Sequence, residues 1–397
     1  MTEQDPIDPR LAAALSSVED PELRRPLIDL GMLRAARLDP DGTAVVEVLL
    51  TISGCPLRST IETDVAEAVR GVDGVHRTVV ELDVMTPQQR EELKDRLGHT
   101  RTIPFADPAS LTRVHSVTSG KGGVGKSTVT ANLAAALAAR GRSVGVVDAD
   151  IHGFSIPGLF GITAGPTKVD EMILPPVVEV PDSAASEDGA SRAADGHRRG
   201  SVRAISIGMF TDPANPVVWR GPLLDRAVEQ FLADVHFGDL DHLLLDLPPG
   251  TGDVAIAVAQ KLPGSGVLVV STPQQAAAGI AERSGALAAM TDQTVSGVIE
   301  NMSAMVMPDG TTMDVFGTGG GENVAERLTA ITGTDVPLLG SVPLDPALRV
   351  QGDEGTPIAV QAPDSPSGKA IADIAGKLKI RRDSLAGKNL NLGVTRN

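Results

Sequence analysis

Apolar residues in the last two thirds of the chain fall into short runs closed by a polar or small residue, separated by stretches of helical spacing. Val114 to Thr118, Ser143 to Val147, Arg203 to Ser206, His242 to Asp246, Gly266 to Thr272, Val295 to Asn301 and Val336 to Val342 read as strands. Thr128 to Arg140 is rich in Ala and Leu at helical spacing and stops at Gly141. Another helix follows Pro222 and runs to Val235, and more lie between the later strands. This alternation predicts an α/β fold with a doubly wound, mostly parallel sheet.

The beginning of the chain is patterned differently. Asp8 to Val18 reads as a helix, Thr43 to Ile52 as a strand, Arg58 to Arg70 as a helix, Arg77 to Val84 as a second strand, and Gln88 to Leu97 as a charged helix. Residues 1–98 are therefore expected to form a small α+β domain. A linker with two prolines, residues 99–110, leads to the main domain at 111–378. Within that domain, residues 182–200 are poor in apolar side chains and predict a disordered surface insertion. Residues 379–397 predict a flexible tail with no apolar face at helical spacing.

The chemistry is concentrated where the first strand of the main domain meets its helix. Gly120-Lys121-Gly122-Gly123-Val124-Gly125-Lys126-Ser127-Thr128 contains Gly-x-x-x-x-Gly-Lys-Ser, a loop whose backbone N–H groups cradle phosphates. A strand before it and a helix after it place the phosphates on unsatisfied amides at the positive end of the helix dipole. A chance glycine turn would lack that context, so this is a nucleotide site.

Further polar residues stand at the carboxyl ends of later strands, where open α/β sheets bind ligands. Asp148 and Asp150 follow the second strand; we assign Asp150 to orienting the attacking water and Asp148 to the magnesium shell. Asp246 ends an apolar run and is expected to hold Mg2+ through water, opposite Ser127. Gly250, in the Pro-Pro-Gly-Thr-Gly loop that follows, lets an N–H approach the γ-phosphate, and the amide of Asn301 suits an adenine edge. Lys126 is expected to bind the phosphates directly. Trp219 reads as packing; Arg220 suits a nucleotide contact, a partner contact or a helix cap. His152 has no role in this scheme.

Composition narrows the partners. The chain has 397 residues, a formal charge of −16, one Trp, no Tyr and one Cys. That charge argues against general affinity for nucleic acid or an anionic membrane, and the shortage of aromatics removes stacking platforms. A single cysteine excludes an internal disulfide and fits a reducing compartment. The acidic N-terminus predicts no signal peptide, and no run of about 18 apolar residues predicts a spanning helix. The chain reads as cytoplasmic. Cys55, between a strand end and a helix start where amides and the dipole lower a thiol's pKa, suits an iron or cluster ligand, a docking residue for cluster transfer, or a small buried side chain.

From about residue 110 to 376 the chain resembles the Mrp/ApbC group of ATPases within the MinD/ParA class. The motifs are the loop with Lys121 after its first glycine, Asp148-Ala149-Asp150, Ser206-Ile207-Gly208, Trp219-Arg220-Gly221-Pro222, Asp246 to Asp253, Glu300-Asn301-Met302-Ser303 and Phe316-Gly317-Thr318-Gly319-Gly320. The first hundred residues resemble the iron–sulfur-assembly domain that often precedes such ATPases, through Asp20-Pro21-Glu22, Leu30-Gly31-Met32, Thr51 and Gly54-Cys55-Pro56. The resemblance implies an Mg2+-dependent ATP hydrolase that forms a homodimer, with Lys121 reaching the partner's phosphates. It also implies carriage of iron–sulfur clusters to apo client proteins. Many relatives bridge a 4Fe–4S cluster with Cys-x-x-Cys ahead of the Phe-Gly-Thr-Gly-Gly run. Here those positions hold Val306 and Asp309, so any cluster needs Cys55 or ligands from elsewhere. Two other readings keep the ATPase: a MinD/ParA-like positioning module, and a regulator that docks on assembly partners without holding iron.

Overall fold

The computed structural model describes residues 7–52, 57–97, 102–150, 153–181, 200–210, 221–274, 278–291, 293–307 and 309–380. Cys55, His152, Trp219, Arg220, residues 182–199 of the expected insertion and residues 381–397 of the expected tail lie outside the described residues.

The N-terminal unit contains α1 (Pro9–Leu15), α2 (Leu27–Leu30), β1 (Leu33–Leu38), β2 (Thr43–Leu50), α3 (Arg58–Arg70), β3 (Arg77–Val84) and α4 (Pro87–Leu97). Its sheet has three strands in the order β1-β2-β3 where two were expected. β1 (LRAARL) escaped notice because two of its buried positions are alanines, which barely mark an apolar face. β1 pairs antiparallel with β2, and β2 parallel with β3. The first helix is shorter than Asp8 to Val18: Asp8 caps it, its carboxylate accepting the Arg10 N–H at 2.8 Å, and it stops at Leu15.

The second unit continues through β4 (Arg113–Ser119), α5 (Lys126–Ala138), β5 (Ser143–Asp148), α6 (Ile156–Leu159), β6 (Thr167–Val169), β7 (Met172–Leu174), β8 (Val177–Val180), β9 (Gly200–Ser206), α7 (Gly221–Ala233), β10 (His242–Asp246) and α8 (Asp253–Lys261). It ends with β11 (Gly266–Ser271), α9 (Ala278–Met290), β12 (Thr294–Ser303), β13 (Met305–Val306), β14 (Thr312–Met313), α10 (Gly320–Thr332), β15 (Leu338–Pro343), α11 (Pro346–Asp353), α12 (Ile358–Gln361) and α13 (Pro366–Lys377). The large sheet has the order β15-β12-β11-β4-β10-β5-β9-β8 and is parallel except for β8 at its edge. Gly200, placed at the end of the expected insertion, opens β9.

Both faces of this sheet are covered, which is why its inner strands are apolar without alternation: every residue of β10 is buried. α5 is buried almost all round, from Val129 to Ala138, as the helix between the sheet and α13. The described part of the expected linker packs on the large unit, with Phe105 meeting Phe237 edge-on at 6.0 Å between ring centroids. No helix among the described residues is long and apolar enough to cross a membrane.

The two units share a hairpin. β6 and β7 belong to the second unit in sequence, yet Val169, Met172 and Leu174 are buried in the core of the first, with Leu11, Met32 and Val46. The intervening Ile173 points the other way, into the core around Phe231 and Phe237. Its N–H donates to the Asp234 carbonyl and its carbonyl accepts from the His236 N–H, both at 2.8 Å. Polar contacts border the seam: the Thr167 hydroxyl donates to Glu22 Oε1 at 2.6 Å, Arg90 meets Asp170 at 3.2 Å, and Arg24 pairs with Glu179. Burying side chains the size of Met172 and Leu174 stabilises by roughly 1.5–3 kcal/mol each.

Candidate functional site

The phosphate loop connects the carboxyl end of β4 to α5. Gly123 and Gly125 take φ of 78° and 75°, the left-handed region open to glycine, and Gly125 is the N-cap of α5. A Cβ on Gly125 would also run into the side-chain amide of Asn301. The sequence thus folds the loop back onto the helix start.

Around that helix start the structure brings together residues far apart in sequence. Lys126 Nζ lies 2.7 Å from Asp246 Oδ1 and 3.3 Å from Ser127 Oγ. Ser127 Oγ donates to Asp246 Oδ2 at 2.6 Å. Thr130, not singled out from sequence, donates to Asp246 Oδ1 at 2.9 Å. It sits one turn beyond Lys126 on the same helix face, a spacing that could have revealed it. Asp246 is fully buried and its charge is met by one ammonium and two hydroxyls.

Asp148 stands opposite Asp246 on the neighbouring strand. Burial, with the Asp246 charge adding, pushes its carboxyl up to about 7. Its oxygens accept from the N–H groups of Asp150 (3.2 Å), Ser155 (3.0 Å) and Ile156 (3.2 Å), and from Ser206 Oγ at 3.1 Å. The carboxylate is therefore turned to the loop after β5 rather than to Ser127, and it anchors that loop. Asp150 is buried, with Gly153 beside its carboxylate.

Asn301, at the end of β12, donates its Nδ2 to the Val124 carbonyl at 2.8 Å. Its Oδ1 is buried and has no hydrogen-bond partner, leaving one acceptor for a ligand amino group. Gly250 takes φ 88°, and its N–H, expected to approach a phosphate, donates instead to the Ser119 carbonyl at 2.8 Å. Lys121 Nζ donates to Gln274 Oε1 of the same chain at 2.6 Å. A cavity of about 860 Å³ opens beside the loop, lined in part by Gly125, Thr128, Asn301, Met302, Leu344 and Asp345. Its size suits a nucleoside.

The Val306 and Asp309 positions lie on the β13–β14 hairpin. Val306 is 42% exposed, and the Asp309 carboxylate accepts from the Thr311 N–H (3.0 Å) and hydroxyl (2.6 Å). Among the described residues no group of three or more His, Cys, Asp and Glu side chains is placed to hold a metal ion.

A family model described as a NUBPL iron-transfer P-loop NTPase matches residues 110–379, and one described as an iron-sulfur cluster assembly protein matches residues 10–82. The chain is 54% identical over 398 residues to the iron-sulfur cluster carrier protein of Mycobacterium tuberculosis H37Rv, covering 100% of this chain and 99% of that relative. It is 38% identical over 368 residues to the protein of the same description from Synechocystis, covering 92% of this chain and 94% of that one. Among solved structures it is similar to a nucleotide-binding protein in complex with ADP from Archaeoglobus fulgidus. That match has 32% identity and a TM-score of 0.50, and covers 65% of this chain and 90% of that one.

Proposed function

The chain belongs to the NUBPL iron-transfer P-loop NTPase family, and we propose that it is an ATP-hydrolysing homodimer that carries iron–sulfur clusters to apoproteins. The observation that carries this reading is the cluster of Lys126, Ser127 and the fully buried Asp246 at the start of the helix that follows the phosphate loop. In this reading Lys126 and the amides from Gly120 to Thr128 hold the phosphates. Ser127 Oγ and Asp246 Oδ2, two hard oxygens 2.6 Å apart, suit Mg2+, which when bound neutralises phosphate charge. Asp150 orients the attacking water, and Asp148 keeps the adjoining loop in place. Asn301 Oδ1 accepts the adenine amino group. Lys121 enters the partner's site and offsets charge developing on the transferred phosphoryl group.

The cargo, a 4Fe–4S cluster, raises a second reading. Valine cannot ligate iron and an aspartate is a poor substitute for thiolate, so Val306 and Asp309 do not rebuild the relatives' cysteine pair. That observation favours an ATP-driven docking factor that holds no cluster, acting on assembly partners in the cytoplasm without nucleic acid or membrane. Anaerobic reconstitution with iron and sulfide, comparing wild type with Cys55→Ser, decides between them. Bound iron with visible absorption that the variant loses supports the carrier with Cys55 as a ligand. No cluster in either protein refutes the carrier reading and leaves the docking factor.

A further inference from the structure

Lys121 is assigned above to a partner's phosphates, yet within this chain its ammonium is already engaged, 2.6 Å from the Gln274 side-chain oxygen. Both side chains are half-buried, and Ser119 Oγ fixes the lysine's backbone by donating to its carbonyl at 3.0 Å. Gln274 is itself firmly seated. It follows Thr272 and Pro273 at the end of β11, and Gly320 at the start of α10 packs directly on the Pro273 carbonyl, where a Cβ would not fit. The next amide, Gly321 N–H, donates to the buried Glu300 Oε2 at 2.7 Å. Glu300, Gly320 at the end of the Phe-Gly-Thr-Gly-Gly run and Gly321 after it, none with assigned chemistry, thus set the position of the backbone that carries Gln274.

We propose that Gln274 is a positioning residue that holds Lys121 within its own protomer and releases it when the lysine crosses to a partner's nucleotide. The inference rests on the homodimer reading given above. The chemistry of the pair suits a latch. A neutral amide oxygen accepts from an ammonium strongly enough to orient it, but more weakly than a carboxylate would, so phosphate charge can compete for the same ammonium. Gln274 therefore opposes dimerisation by an amount set by its acceptor strength, since the lysine must leave one partner to gain the other.

The pair of variants Gln274→Ala and Gln274→Glu tests this by the sign of their effects. The readout is the concentration of a non-hydrolysable ATP analogue at which half the protein sediments as dimer. Gln274→Ala is expected to lower that concentration about tenfold and Gln274→Glu to raise it about tenfold, a difference a merely structural role would not produce. Equal shifts in one direction, or none, while Lys121→Ala abolishes the dimer, would overturn the latch and leave the homodimer reading standing. Dimerisation unaffected by Lys121→Ala would overturn the latch and the lysine's place in the partner's site, whereas wild type that forms no dimer with the analogue would overturn the homodimer reading itself.

Discussion

Lys126 and Asp246 form an ion pair 2.7 Å long, with side chains 6% and 0% exposed. A cation so enclosed is held by its counter-charge, and Asp246 in turn lies opposite Asp148 on the next strand. Lys126→Ala leaves a buried carboxylate uncompensated, which typically costs about 3–5 kcal/mol. We expect ATP turnover to be lost and the melting temperature to fall, read by phosphate release and calorimetry. Normal hydrolysis in the variant would refute the assignment of the loop.

Gly125 and Asn301 are locked together. Alanine at 125 meets both a φ of 75° and the Asn301 amide, so Gly125→Ala is expected to weaken ATP binding at least about tenfold. Asn301→Ala restores the room but removes the acceptor, at a cost of about 1–3 kcal/mol in ATP binding. Fluorescent-nucleotide titration measures both; unchanged affinity in Asn301→Ala would remove this residue from the base site.

His115 and His242 stack on adjacent strands with ring centroids 5.7 Å apart, and none of their four nitrogens has a hydrogen-bond partner. Burial drives His115 down to about 3 and His242 down to about 4, from an ordinary value of 6.5. The unfolded chain therefore takes up protons first as pH falls, so stability is full above 6.5 and declines toward 4. At pH 5 each imidazole costs about 2 kcal/mol. Urea unfolding of wild type and His242→Gln should show the variant gaining on wild type between pH 7 and pH 5. A constant gap would contradict this.

At the seam between the units the shift has the opposite sign. Burial raises Glu22 from 4.5 to about 7, with nearby Asp20 adding to the rise while its hydrogen bond from Thr167 holds it down. The folded chain keeps this proton where the unfolded chain loses it. The contribution is complete below pH 4.5 and disappears as pH rises through 7. For this half-buried group the loss between pH 5.5 and 8 is about 1 kcal/mol. Glu22→Gln should abolish that part of the pH dependence in melting experiments.

The nucleotide loop, the central strands and Asp246 were legible in the sequence because their signals are local: a fixed glycine spacing, and apolar runs ended by a carboxylate. The three-residue strands β6 and β7 are too short for a period of two to stand out. Edge strand β8, VVEV, carries no mark of its antiparallel direction. Side-chain partners were the least legible. Lys121 and Gln274 are 153 positions apart and Asn301 and Val124 are 177 apart, so only the closed sheet shows that they touch. The Gly250 N–H was aimed at a phosphate from its loop, whereas the sheet carries it beside the Ser119 carbonyl.

The hairpin made by β6 and β7 means that the border between the units in space matches no border along the chain. A protein shortened to its second half would display Val169, Met172 and Leu174 to water, and the first half alone would keep a hole of their shape. Gain or loss of the N-terminal unit by a simple end-to-end fusion or deletion therefore leaves a scar at a site far inside the remaining sequence.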